Sequence, residues 1–117
     1  MNIALFASGT GSNAFNIWMH KDNYPFLNIK CVIIDQENAP FIQTCKKHKI
    51  PFYLIPKKNS SKRNHEEEIL EVLEKESINW ILLAGFMRIL SPDFINKFYD
   101  KNLKQAFTIF KPDAVIH

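Results

Sequence analysis

The stretch MNIALFASGTGSNA, residues 1–14, decides the fold of this chain. Residues 2–7 form a short apolar run of the kind that a buried parallel strand shows, and glycines follow directly at positions 9 and 11. Glycine lets the backbone turn tightly, and a helix that begins there presents unpaired amides and the positive end of its dipole. The stretch therefore predicts a strand, a turn and a helix whose start binds an anion, most naturally a phosphate.

A second strand-like run carries the remaining glycine. The chain has only three glycines, and the third, Gly85, follows the apolar run at residues 80–83. In an open α/β sheet, ligands bind beyond the carboxyl ends of the strands, where the strand order reverses. Two such glycine loops side by side predict a ligand crevice.

Strand and helix signals alternate along the rest of the chain. We predict strands at residues 2–7, 30–34, 52–55 and 80–83, and helices at residues 13–20, 40–49, 63–75 and from 91 onward. We expect Ser12 or Asn13 to cap the first helix, and Ser91 with Pro92 to open the fourth. This alternation predicts an α/β fold, a Rossmann-like open parallel sheet with helices on both faces.

Composition limits what such a site can serve. A chain of 117 residues with a net charge of +3 is expected to form one domain that suits a small anionic ligand and no nucleic acid. Cys31 and Cys45 are too far apart for a C-x-x-C pair and are expected in the core. No motif supports a metal site, and no leader or membrane-spanning run is evident, so we expect a cytoplasmic protein.

The first loop is compatible with more than one kind of ligand. Gly9, Gly11 and Ala14 fit the dinucleotide fingerprint G-x-G-x-x-G/A, and Asp35 ends the second strand, where a ribose-binding acid would stand. A nicotinamide dinucleotide-binding protein is therefore one alternative. A noncatalytic module that binds a phosphorylated metabolite is another, since it needs only the glycine loop.

Two motifs together resemble one family. The run AGFMRILSP at residues 84–92, with SGTGSN at residues 8–13 and the Met1-Asn2-Ile3 start, closely resembles the phosphoribosylglycinamide formyltransferases over residues 1–103. The resemblance implies an enzyme of purine synthesis that transfers a formyl group from 10-formyltetrahydrofolate, its cosubstrate, to glycinamide ribonucleotide.

The resemblance also implies two sets of binding residues. The ribonucleotide phosphate would be held by Gly11, Ser12 and Asn13, and the folate by Arg63, Met87, Arg88, Ile89 and Leu90. The physical reading is compatible, because an apolar rim that includes Phe86, Met87, Ile89 and Leu90 suits a flat heteroaromatic ring.

The resemblance ends at the residues that the family uses for catalysis. In the family a later strand carries Asn-x-His-Pro-Ser, and ungapped counting puts Lys104 and Ala106 at the positions of the Asn and the His. The family's catalytic Asp would lie beyond His117. We therefore predict no catalytic residue in this chain, and a truncated domain with a divergent tail at residues 104–117. Residues 106–110 remain apolar enough to add an edge strand. The exposed apolar surface of such a domain favours a homo-oligomer or association with an intact homologue.

Overall fold

The computed structural model describes residues 1–57, 62–86, 90–102 and 109–110. The described strands are β1 (Asn2–Ala7), β2 (Asn28–Ile34), β3 (Phe52–Leu54), β4 (Trp80–Leu83) and β5 (Ile109–Phe110). The described α-helices are α1 (Ser12–Met19), α2 (Phe41–His48), α3 (Lys62–Lys75) and α4 (Pro92–Asn102), with one turn of 3₁₀ helix at Lys21–Asn23.

β1 lies at the centre of a parallel sheet. The strand order is β3-β2-β1-β4-β5, and each pairing is parallel. The chain builds outward from β1 through β2 and β3, then returns to the other side of β1 as β4, so the strand order reverses between β1 and β4. The predicted α/β fold is confirmed, and the edge strand expected within residues 106–110 is present as β5.

Two apolar layers cover the two faces of the sheet, because side chains alternate along each strand. Ala4 and Phe6 of β1 face a cluster that includes Ile69 and Leu73 of α3 and Phe94 and Phe98 of α4. Ile3, Leu5 and Ala7 face a cluster that includes Ala14 of α1 and Phe41 and Cys45 of α2. Both cysteines are buried, as expected.

The two helices that begin near a serine begin in different ways. Ser91 Oγ accepts a hydrogen bond from Phe94 N–H at 3.1 Å, and α4 starts at Pro92, as predicted. The expected cap of α1 by Ser12 or Asn13 is wrong: Gly11 is the N-cap, with a φ of +64°, and no side chain caps the helix. Ser12 already lies inside the first turn, one position too late for its hydroxyl to act as the cap.

Asparagine side chains close the edge of the sheet where the strands begin. Asn2 N–H donates to Asn79 Oδ1 at 3.1 Å, and Asn28 Nδ2 donates to Asn2 Oδ1 at 3.1 Å. Asn2 Nδ2 also donates to Ser77 O at 3.0 Å. These bonds tie the starts of β1 and β2 to the turn before β4, at the edge opposite the glycine loops.

Candidate functional site

The two glycine loops lie side by side where β1 and β4 end. β1 pairs with β4 from Ile3 opposite Trp80 to Phe6 opposite Leu83, and Ala84 N–H donates to Phe6 O at 2.8 Å. Asn13 Nδ2 lies 3.7 Å from where a β-carbon on Gly85 would stand. The start of α1 therefore borders the loop that follows β4, and the predicted adjacency of the two loops is confirmed.

The first loop, residues 8–13, is shaped by its own backbone and by α2. Gly11 N–H donates to Ser8 O at 3.2 Å, and Phe41 N–H donates to Gly9 O at 3.1 Å. A β-carbon on Gly11 would lie 2.1 Å from Phe41 Cγ, which no side chain can tolerate. Only glycine fits at position 11, where the φ of +64° also favours it. The sequence gives no signal for the role of Phe41, because its contact with the loop is tertiary.

The start of α1 is chemically suited to an anion. No side chain caps its first amides and no acidic residue lies in its first turn, while Ser12 is exposed and Asn13 is half-buried. Such a helix start combines donor N–H groups with the positive end of the helix dipole. The fold thus brings together Gly11, Ser12 and Asn13, the residues predicted to hold a phosphate.

Asp35 lies beneath the first loop. The residue is only 2% exposed, and its Oδ1 accepts a hydrogen bond from Ser8 Oγ at 2.6 Å. A ribose-binding acid must present its carboxylate to the ligand crevice. The burial of Asp35 therefore disfavours the nicotinamide alternative and favours a structural role, in which Asp35 supports the loop from below.

The second loop, which joins β4 to α4, is described at its two ends. We expected Phe86 on an apolar rim, but Phe86 lies in the core, where its ring contacts the ring of Phe6 edge to face at a centroid distance of 5.1 Å. Leu90 is half-buried and packs against the same cluster.

The remaining predicted site residues lie partly or wholly outside the described residues. Those outside are Met87, Arg88, Ile89, Lys104 and Ala106. Arg63 belongs to the first turn of α3, and only its backbone is described. Among the described residues, no group of three or more histidine, cysteine or acidic side chains is placed to hold a metal ion. No helix in the described part of the chain is long and apolar enough to cross a membrane.

A buried carboxylate that the sequence pattern does not indicate joins α3 to the end of the second loop. Glu66 is 7% exposed, and its Oε2 and Oε1 accept hydrogen bonds from Ser91 N–H at 2.8 Å and Ser91 Oγ–H at 2.6 Å. Its neighbour His65 is also buried, with Nε2 at 2.6 Å from Ile55 O. Glu66 begins a run of three glutamates, a pattern typical of a solvated helix face, so the sequence offers no signal for this contact.

Known proteins similar to this chain share its fold. A family profile described as formyl transferase matches residues 1–105. The chain is 33% identical over 104 residues to the phosphoribosylglycinamide formyltransferase of Haemophilus influenzae, covering 86% of this chain and 49% of that protein. It is 24% identical over 89 residues to the formyltetrahydrofolate deformylase of Escherichia coli, covering 74% of this chain and 32% of that protein.

Solved structures show the same likeness. The crystal structure of glycinamide ribonucleotide transformylase 1 from Geobacillus kaustophilus superposes with a TM-score of 0.76 and 29% identity, covering 86% of this chain and 54% of that chain. This chain thus spans about half the length of its transferase relatives, and about a third of the length of the deformylase.

Proposed function

We propose a function from one premise: this chain belongs to the formyl transferase family. We infer that it binds glycinamide ribonucleotide at the first glycine loop and 10-formyltetrahydrofolate at the second. One observation carries the proposal: the uncapped start of α1 borders the second glycine loop, which is the arrangement that a phosphate site beside a formyl-donor site would need. The identity of 33% to a transferase, against 24% to a deformylase, favours an amine over water as the formyl acceptor.

The proposed phosphate site consists of backbone and short polar side chains. Gly11 N–H already donates a hydrogen bond to Ser8 O. The next backbone amides, those of Ser12 and Asn13, are therefore the donors that we assign to the phosphate. Charge favours this ligand, because the start of α1 has no acidic residue in its first turn and the chain carries a net charge of +3.

The proposed folate site has two parts in the sequence. Residues 87–90, Met87 to Leu90, follow Gly85 and Phe86, and Arg63 lies in the first turn of α3. Half-buried Leu90, between the core and the loop, offers apolar surface to a ring.

We also infer a cytoplasmic location. Cys31 and Cys45 are free thiols, and a reducing compartment such as the cytoplasm keeps thiols in this state.

A charge-placement variant tests the phosphate site. We expect Asn13→Asp to weaken calorimetric binding of glycinamide ribonucleotide at least tenfold, because the new carboxylate repels the phosphate. An acidic residue in the first turn of a helix is favourable for the helix itself, so the fold should survive the change. Asn16→Asp is the matched control: it is exposed, further along α1, and should leave affinity within twofold.

Two results would contradict this assignment. Equal losses for Asn13→Asp and Asn16→Asp would mean that the ligand does not contact the start of α1. Saturable binding of a nicotinamide dinucleotide, titrated in parallel, without binding of the ribonucleotide would restore the dinucleotide alternative.

We further propose that this chain alone does not catalyse the transfer. By ungapped counting, Lys104 and Ala106 stand where the family resemblance implies an amide and an imidazole, which would stabilise the developing negative charge and move a proton. Loss of general acid catalysis costs roughly 10²- to 10⁴-fold in rate, and loss of an oxyanion donor about 10²- to 10³-fold. A formyl-transfer assay with both substrates should therefore detect no turnover, while calorimetric titration still detects binding of the ribonucleotide. Turnover comparable to that of an intact relative would show that other residues supply the chemistry.

A further inference from the structure

Glu66 connects the two parts of the chain to which we assign the folate. Arg63 precedes Glu66 by three positions on α3, a spacing that puts two residues on neighbouring positions of one helix face. Residues 87–90 come directly before Ser91, which Glu66 binds. One side chain therefore links the helix turn that carries Arg63 to the end of the second loop.

The contact between Glu66 and Ser91 has a fixed geometry. Glu66 uses both carboxylate oxygens, one on Ser91 N–H at 2.8 Å and one on Ser91 Oγ–H at 2.6 Å. The hydroxyl gives its single proton to Glu66 and accepts from Phe94 N–H at 3.1 Å, so its orientation is set from both sides. Hydrogen bonds to an ionised carboxylate are shorter and stronger than neutral ones, and at 7% exposure water competes little for these.

The helix turn that holds Glu66 is itself anchored. His65 is buried, and its Nε2 lies 2.6 Å from Ile55 O, just after β3. At its other end the second loop is attached to β1 by the hydrogen bond from Ala84 N–H to Phe6 O at 2.8 Å. The loop is thus held at its start by the central strand and at its end by α3.

We propose that Glu66 is a positioning residue for the formyl donor. It holds Leu90 and Ser91, at the end of the second loop, in place relative to the first turn of α3, and it acts through this contact and not by binding the ligand itself. The identity of the ligand rests on the proposed function, whereas the attachment of the loop does not. A displacement of about 1 Å in a binding group can cost as much as 10²-fold in function, which is the scale on which such a residue acts.

The test compares Glu66→Gln with Glu68→Gln. Glutamine keeps the shape of Glu66 but turns one acceptor oxygen into an NH₂ group that faces a Ser91 donor. Glu68 is exposed on the same helix, so Glu68→Gln is the same chemical change at a position without this contact. Hydrogen–deuterium exchange should be at least tenfold faster in a peptide spanning residues 84–94 for Glu66→Gln, and unchanged for Glu68→Gln.

Ligand titration is the second measurement. With 5-formyltetrahydrofolate as the probe, the Kd of Glu66→Gln should rise at least tenfold, while its Kd for glycinamide ribonucleotide stays within twofold of the wild-type value. This split separates positioning of one ligand from general loosening of the fold. If Glu66→Gln fails to fold by circular dichroism, Ser91→Ala decides by the same two measurements. This change removes the Oγ–H bond to Glu66 and the Oγ cap of Phe94 N–H, and it keeps the bond from Ser91 N–H to Glu66.

Three outcomes would contradict either the inference or the assignment of its ligand. Unchanged exchange in residues 84–94 would show that Glu66 does not hold the loop, and equal weakening of both ligands would reduce Glu66 to a structural residue. Absence of 5-formyltetrahydrofolate binding by the wild-type chain would instead overturn the proposed folate site, while the exchange experiment still decides whether Glu66 holds the loop.

Discussion

At the residue scale, the two glycines of the first loop share a backbone conformation and differ in their surroundings. Gly9 has a φ of +61° and Gly11 a φ of +64°. Nothing lies within 4 Å of the place of a β-carbon on Gly9, whereas Phe41 Cγ lies 2.1 Å from the equivalent place on Gly11. The sequence predicts that both glycines lie in a turn. It cannot show that only Gly11 is crowded, because the crowding side chain, Phe41, comes from the next helix.

This difference predicts unequal costs for the same substitution. Gly9→Ala should cost about 1 to 2 kcal/mol in the free energy of unfolding, the price of a left-handed backbone at an alanine. Gly11→Ala carries that cost and must also displace the Phe41 ring, so we expect about 3 kcal/mol or more in total. Urea unfolding of the two variants measures both values, and equal losses would mean that Phe41 moves aside freely.

At the element scale, the helix starts show where sequence patterns succeed and where they fail. Ser91 caps α4 as its position before Pro92 predicts. Ser12 does not cap α1, because the loop closes one residue earlier, at Gly11 in the left-handed conformation. A serine before an apolar run thus indicates that a helix begins nearby, while the loop conformation decides which residue is the cap.

The same serine-to-alanine change should therefore have different effects at the two helices. Ser91→Ala removes the cap of α4 and one of the two hydrogen bonds to the buried Glu66 carboxylate, so we expect a loss of about 2 to 3 kcal/mol. Ser12→Ala removes an exposed hydroxyl that caps nothing and should change stability by less than about 0.5 kcal/mol. Thermal unfolding followed by circular dichroism compares them, and a similar drop in Tm for both would contradict the cap assignment.

The strands show how much of the fold the sequence could predict. β1 and β4 have the predicted limits, because both are mainly apolar runs that end two residues before a glycine. β2 begins earlier than predicted, at Asn28, since Asn28 and Ile29 pair with the start of β1. Partner pairing of this kind is tertiary information, as is the Glu66 contact, whereas both glycine loops could be found from local sequence alone.

At the scale of the whole molecule, the sheet buries two thiols. Burial, with a smaller contribution from the charge of Glu76, raises the pKa of the Cys31 thiol from 9.0 to about 12. Burial raises the pKa of the Cys45 thiol from 9.0 to about 11. The folded protein thus keeps both thiols protonated at a pH where the unfolded chain has begun to lose these protons.

Stability should therefore fall as pH rises through 9. Above this pH the unfolded state binds fewer protons than the folded state, so the free energy of unfolding decreases until the folded thiols themselves ionise near pH 11 to 12. Between pH 8.5 and 9.5 we expect a loss of about 1 kcal/mol in urea unfolding. A variant with Cys31→Ala and Cys45→Ala should lack most of this slope, and an undiminished slope in it would assign the effect to other groups.

The asparagine contacts among Asn2, Asn28 and Asn79 have a practical consequence for anyone who attaches this protein to a solid support. They involve only uncharged groups, so neither ionic strength nor moderate acid or base should loosen them. The exposed Met1 lies beside them, and the six residues of β1 separate it from the glycine loops by about 20 Å. A sensor chip or resin coupled through the amino terminus would therefore leave the two glycine loops facing the flowing solution.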